Sequence, residues 1–266
     1  MRFMLTASFV LGLASPALGQ VAPLNAAGMT FGHVHLNVAE IDVHRELWVD
    51  GYGGELVQKG PLTAIKFPDM LIVFTERAPT GGSQGTVMDH FGFKVRSLAD
   101  ALDIWRQAGY EVQSEFTGAE GFPNAYLMGP DSVRVEFQED PTLDKPIIGY
   151  HVHFFTPDYR ELLDWYVEIF GLERFERGSI ATTANAPGMN LSFGGSRTDP
   201  VASQGRAIDH IGFEYQDLES VVRELEARGV VFEGPVRDIP SIGLKIAFFT
   251  DPAGVRVELT EGLVEY

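Results

Sequence analysis

The chain contains no cysteine, which excludes disulfides, thiolate metal centres and a lipid-anchored cysteine. Basic residues are also scarce: 20 Lys and Arg stand against 37 Asp and Glu, for a net charge of −17. With no cluster of Lys and Arg to offset it, that charge repels a polyanion, so a general nucleic-acid role is excluded. Long apolar runs are missing as well. The stretch from Phe3 to Leu13 follows Arg2 and precedes Ser15-Pro16, with small residues at Ala17 and Gly19. It falls short of the roughly 20 residues that span a bilayer, and its layout is that of a secretory signal peptide cut near Gly19. Residues 1–19 are therefore expected to be removed, leaving a secreted or periplasmic protein with no stable membrane insertion. Without disulfides, the mature protein must rest on its core and on any metal it binds.

What is present is a repeat. Asp89-His90-Phe91-Gly92-Phe93 returns as Asp209-His210-Ile211-Gly212-Phe213, the strand ending Arg134-Val135-Glu136 returns as Arg256-Val257-Glu258, and His33-Val34-His35 returns as His151-Val152-His153. The offsets are 118 to 122 residues, so one unit of that size is duplicated. Each unit holds two modules that open on a histidine: His33, His90, His151 and His210. Each module reads as a β-rich strand, an amphipathic helix and about three further strands. Ser97 to Asp100 has the form of a helix cap, and Thr156-Pro157 that of a cap and first helical residue. Gly109, Gly171 and Gly229 mark helix ends. The segment from Gln138 to Lys145 reads as the linker between halves.

Alternation along a strand puts His33 and His35 on one face, and likewise His151 and His153. Glu136 lies between Val135 and Phe137, and Glu258 between Val257 and Leu259. A carboxylate in so apolar a strand is costly to bury without a partner. Two imidazoles and one carboxylate suit a divalent ion such as Fe2+, Mn2+, Zn2+ or Ni2+, with positions left open for a chelating substrate. His44, unmatched in the other modules, reads as an ordinary core histidine.

These motifs, together with Tyr150 ahead of His151 and Trp165-Tyr166 leading to Phe170-Gly171, resemble the vicinal oxygen chelate superfamily over about residues 28–262. That group includes glyoxalase I, the fosfomycin and bleomycin resistance proteins and type I extradiol dioxygenases. The resemblance implies an α+β fold of four βαβββ modules, paired into two domains with curved mixed sheets and taken in chain order as residues 28–140 and 147–262. By position it implies metal ligands His33, His90 and Glu136 in one domain and His151, His210 and Glu258 in the other. If modules pair crosswise, the sets become His33, His210, Glu258 and His90, Glu136, His151.

Two departures stand out. Glyoxalase I takes a fourth ligand from a position that holds Val73 or Ser192 here. The dioxygenases carry a histidine and a tyrosine in the stretch matching Ser241 to Thr250, which has no histidine and has Phe248 at the tyrosine's place. His35 and His153 are then candidates for acid–base catalysis, or for bracing the pocket. The implied function is an exported metalloenzyme, dioxygenase or glyoxalase-like, acting on a small oxygen-chelating substrate. The alternative is a metal-free protein that sequesters a small molecule in the manner of the bleomycin resistance proteins. Self-association into a homo-oligomer is left open. Aromatic Phe154, Phe155, Trp165 and Tyr166 favour the second half as the more active one.

Overall fold

A computed structural model describes residues 22–263, and the expected leader lies outside them. Each quarter of the chain is a strand, a helix and three strands, as the repeat predicts. Module one comprises β1 (Met29–Val38), α1 (Ile41–Arg45, continued by a wider turn to Gly51), β2 (Glu55–Lys59), β3 (Leu62–Phe67) and β4 (Met70–Glu76). Module two comprises β5 (Met88–Val95), α2 (Leu98–Gln107), β6 (Glu111–Thr117), β7 (Pro123–Met128) and β8 (Arg134–Glu139). Module three runs through β9 (Ile147–Phe155), α3 (Tyr159–Phe170), β10 (Glu173–Arg177), β11 (Ile180–Ala186) and β12 (Met189–Gly194). Module four runs through β13 (Ile208–Tyr215), α4 (Leu218–Ala227), β14 (Arg237–Ile239), β15 (Leu244–Thr250) and β16 (Arg256–Glu261).

The modules do not pair in chain order. One mixed sheet runs β14-β15-β16-β13-β1-β4-β3-β2, joining modules four and one, and the other runs β10-β11-β12-β9-β5-β8-β7-β6, joining three and two. The division into 28–140 and 147–262 is thereby corrected: each sheet takes half its strands from either side of that boundary. Backbone pairing explains the choice, because β1 lies antiparallel to β13, and β5 to β9, so that first strands meet first strands. Each sheet curls until the hairpins at its two ends touch. Ser179 N donates to Ala119 O at 3.1 Å in the second sheet, and Ile242 packs against Gly60 in the first. The two concave faces are called the first cup (modules one and four) and the second cup (modules two and three).

The convex faces and helices share one apolar core. In α2 the buried residues are Leu98, Ala101, Leu102 and Trp105, a spacing of three and four that lines one helical face. Trp48 of module one stands 5.4 Å from Phe93 and 5.9 Å from Trp105 of module two, ring centre to ring centre, so modules of different sheets pack together. Ser97 Oγ accepts from Asp100 N at 3.3 Å, the expected cap, and Leu98 N is held by Glu139. Helix α3 starts later than Thr156-Pro157 suggests: it opens at Tyr159, with Asp158 as its first flanking residue. Thr156 is instead tied to the sheet, its N–H donating to Gly194 O.

One buried carboxylate serves the core alone. Asp251, 5% exposed in the turn after β15, accepts at Oδ1 from the N–H groups of Ala253 and Val255 and at Oδ2 from the Tyr166 hydroxyl. Burial outweighs these bonds and raises its pKa to about 6. With the folded value above the unfolded one, the stability it contributes is complete below about pH 4 and is lost as pH rises through 6. Asp251→Asn keeps the Oδ1 acceptor and lets Nδ2 donate to the Tyr166 oxygen. The variant is expected to melt higher than wild type at pH 7.5, by roughly 2 kcal/mol of stability, with the gap closing by pH 4 in a thermal scan.

Candidate metal centres

Two clusters of potential donors occupy corresponding places in the two cups: His33, His35, His210 and Glu258, and His90, Glu136, His151 and His153. In each cluster one donor atom per residue lies within 4.8 Å of all the others. The structure thus brings together the crosswise sets. It does not bring His90 and Glu136 to His33, nor His210 and Glu258 to His151. His44 joins neither cluster; it is buried and bonds Asp131 at 3.0 Å.

Strand pairing builds each cluster. In the second cup His90 on β5 faces His153 on β9, while Gly92 faces His151. β8 runs parallel beside β5 and sets Glu136 opposite Gly92. In the first cup Gly212 is opposed by His33 on one side and Glu258 on the other. This explains the glycine of the repeated Asp-His-x-Gly-Phe motif. A Cβ at Gly92 would overlap the His151 imidazole, and one at Gly212 the His33 imidazole.

The donors meet as lone pairs. In the second cup His90 Nε2 and His151 Nε2 both lie 3.1 Å from the same oxygen, Glu136 Oε2. His90 Nδ1 is 2.8 Å from Asp89, which Arg134 and the Gly85 N–H hold in turn. An aspartate accepting at Nδ1 fixes the tautomer in which Nε2 carries the lone pair. A lone pair at hydrogen-bonding distance from a carboxylate calls for a proton or a cation between them. The first cup repeats this: His210 Nε2 is 3.1 Å from Glu258 Oε2, and its Nδ1 is 2.6 Å from Asp209, which Asn37 and the Gly205 N–H support. His33 Nε2 lies 3.0 Å from Glu258 Oε2 but out of hydrogen-bonding alignment, and both its nitrogens are buried without a partner. The Nδ1 atoms of His35, His151 and His153 are also buried and unpartnered. Such a donor set fits a divalent transition ion better than a purely hydrogen-bonded network, which would leave these nitrogens costly and idle.

The ionisation pattern agrees. Burial opposes charge on His90 and His210, yet their bonds to Asp89 or Asp209 and to the glutamates reverse the effect and raise both pKa values. Burial is the largest influence on His33, His35 and His153, whose pKa values fall with the help of the neighbouring histidines and, for His33, against the pull of Glu258; burial likewise lowers His151 to about 4 with the help of the nearby Arg177 charge. Glu136 and Glu258 remain carboxylates despite burial because the histidines beside them hold their pKa values down.

His35 and His153 stand beside the ligand sets. His35 Nε2 bonds Thr75 Oγ1 at 2.8 Å; His153 stacks on Phe155 with ring centres 4.4 Å apart. Val73 pairs with His35 and Ser192 with His153, so where a last-strand ligand is missing a first-strand histidine occupies the adjacent row. Of the aromatic residues taken to line the second half, Phe154, Trp165 and Tyr166 belong to the core on the convex side, and Phe155 alone reaches a donor histidine.

The cups differ in lining, a point the sequence reading missed. Beside Glu258 lies Phe248, 5.4 Å from the His210 ring; beside Glu136 lies Tyr126, 5.2 Å from the His90 ring. The tyrosine absent from the last module is therefore present in module two. Its pKa is raised to about 12 by burial and by Glu136, so it is a neutral donor at pH 7. The same contrast runs through the rows. Ala64, Leu71 and Val73 of the first cup correspond in register to Thr183, Asn190 and Ser192 of the second, and Ile246 corresponds to Asn124. The first set joins a closed aliphatic cluster with Ile242 and Leu244. The second set is equally buried but polar.

The sequence profile of the Glyoxalase/Bleomycin resistance protein/Dioxygenase superfamily matches residues 150–259. An uncharacterized protein of Bacillus subtilis, YwkD, is 30% identical over 122 residues, covering 42% of this chain and 94% of the relative. Glyoxalase I from Zea mays superposes with a TM-score of 0.71 at 16% identity, over 88% of this chain and 92% of that one. A putative dioxygenase from Bacillus subtilis gives 0.67 at 15% identity, over 87% and 84%. At such identities these two structures speak for the fold alone. The chain belongs to the glyoxalase, bleomycin resistance protein and dioxygenase superfamily, that is, to the vicinal oxygen chelate proteins.

Proposed function

We propose that this protein is an exported metalloenzyme that activates a small oxygen-chelating substrate, as a dioxygenase or a glyoxalase-like lyase or isomerase, and that its working site is the second cup. The observation that carries this is the convergence of two Nε2 atoms on one carboxylate oxygen within a buried cup, with Asp89 fixing the tautomer. His90, His151 and Glu136 would hold a divalent ion, and a bound ion of that kind supplies Lewis acidity to a chelating substrate oxygen. Tyr126, protonated at neutral pH and beside His90, donates a hydrogen bond to negative charge developing on that substrate. His153, buried and neutral with Nδ1 unpartnered, accepts a proton from a substrate hydroxyl. Phe155, flat against His153, keeps water from that face. The first cup has the same donors, but Phe248 stands where the second cup has Tyr126 and aliphatic residues fill its rows, so it offers a substrate fewer polar partners, and its ion would brace the fold. The signal-peptide layout of residues 1–19 supports export.

Metal analysis of anaerobically purified protein is expected to give two divalent ions per chain. The double variant His90→Ala, Glu136→Ala should lose one and His210→Ala, Glu258→Ala the other. Protein that stays metal-free under every loading condition would overturn this reading in favour of a sequestering protein.

A further inference from the structure

Arg177 closes edge strand β10. The four residues before it on that strand are exposed, whereas Arg177 is 3% exposed. A guanidinium is charged at every accessible pH and has only donors to offer. Two of its nitrogens, Nε and Nη1, are buried without a hydrogen-bond partner, and among the described residues it makes no ion pair. Its guanidinium carbon sits 5.2 Å from the centre of the Tyr150 ring. An aromatic face steadies a cation but accepts none of its N–H bonds.

Tyr150 is in the cup because of an irregularity in the sheet. Between Gly149 and His151 the β9 strand carries an extra residue relative to β5, and such a bulge re-aims a side chain. The Tyr150 ring consequently lies 5.3 Å from the His151 ring, which places Arg177 one aromatic ring away from the donor cluster. Glu120 is an acid of this network, but its Oε2 already accepts from the Tyr150 hydroxyl and from Gln138, each at 2.6 Å. Asn124 adds a second idle group: its Oδ1 is buried without a partner, while its Nδ2 donates to Glu136. The first cup repeats the bulge but not the side chains it carries. The residue before His33 is Gly32, and the counterpart of Arg177 at the end of β2 is Lys59, half-buried beside the aliphatic cluster.

A buried guanidinium without a carboxylate is strongly unfavourable unless an anion completes it. We propose that the second cup binds a small anion, a carboxylate or phosphonate with a hydroxyl or carbonyl oxygen on the adjacent carbon, and that Arg177 takes the anionic group while the neighbouring oxygen faces the His90, Glu136 and His151 centre. Two parallel N–H donors from one guanidinium match the spacing of two oxygens on such a group. This assignment names the substrate class for the reading above and rests on it.

The test uses cobalt-loaded protein titrated with glycolate, with hydroxymethylphosphonate, and with uncharged ethylene glycol, followed by calorimetry and by the visible spectrum of the bound cobalt. Wild type is expected to bind at least one of the two anions at least tenfold more tightly than ethylene glycol, and the tighter anion distinguishes carboxylate from phosphonate. Arg177→Gln should keep its cobalt, because Arg177 is not among the donors, and lose tenfold or more in affinity for that anion. Arg177→Lys should recover part of it, and Lys59→Gln should leave it unchanged. Equal anion affinity in Arg177→Gln with cobalt retained, or no preference for either anion over ethylene glycol in cobalt-loaded wild type, would overturn the assignment and leave the metal reading intact. Absence of cobalt from wild type would overturn the metal reading and this assignment with it.

Discussion

Removal of metal by a chelator at neutral pH is expected to lower the Tm by more than about 15 °C. A ligand present at a thousandfold its Kd stabilises by about 4 kcal/mol, so two centres contribute roughly 8 kcal/mol, and in a chain of this size each kcal/mol moves Tm by about 2–4 °C. The effect is large because both donor clusters are buried and Glu136 and Glu258 face imidazole lone pairs. Differential scanning calorimetry before and after chelation, with re-addition of metal, measures it.

The pH dependence follows. His33, His35, His151 and His153 have lowered folded pKa values. Once the chain unfolds they take up protons more readily than in the fold, so they withdraw stability as pH falls below about 6.5. His90 and His210 have raised values and act in the opposite sense: their contribution is complete below about 6.5 and is lost as pH rises through the folded value. Protons also compete with metal for every Nε2. The gap between metal-loaded and chelated protein should therefore narrow as pH is lowered from 7 to 5. A gap that is absent at neutral pH would mean that the clusters hold no ion of consequence.

Gly92→Ala carries the second large effect. The new Cβ would overlap the His151 imidazole, which packs directly across the strand pair. Neither side can give way cheaply, since β5 and β9 are central in their sheet and the ring is buried. His151 must turn from the cluster, and a centre that loses one of its ligands commonly binds metal weaker by orders of magnitude. The variant is expected to retain one ion per chain instead of two, and to lose turnover on any substrate of the second cup. Gly212→Ala should remove the other ion, through His33, while sparing that turnover. Retention of both ions by Gly92→Ala would show that His151 does not bind metal.

How far this could be read beforehand depended on distance along the chain. The repeat was legible because its period is a property of the sequence, and with it came the four modules, the α+β class and the donor residues. Which module pairs with which was not. His33 could complete a set with His90 and Glu136 or with His210 and Glu258, both being two imidazoles and a carboxylate, and only the antiparallel contact of β1 with β13 decides between them. Tyr126 was missed for the same reason, since its place was sought in module four, where Phe248 stands. Arg177 gave almost no signal: it follows Glu173, Arg174 and Glu176 on an edge strand and reads as surface until the curl of the sheet buries it. Gly92 and Gly212 were visible as a repeated residue, but their reason lies across the strand pair, in the rings they leave room for.

The crossed pairing has a consequence for the integrity of the chain. Asp140 to Pro146 joins β8 to β9, and a protease cutting there would separate the polypeptide into two fragments. Neither fragment would own a whole centre, because His33 would part from His210 and Glu258, and His90 and Glu136 from His151. Yet the nicked molecule would stay assembled, interlocked by two ladders of backbone bonds, and only after the fragments were parted would their recombination be needed to restore either centre.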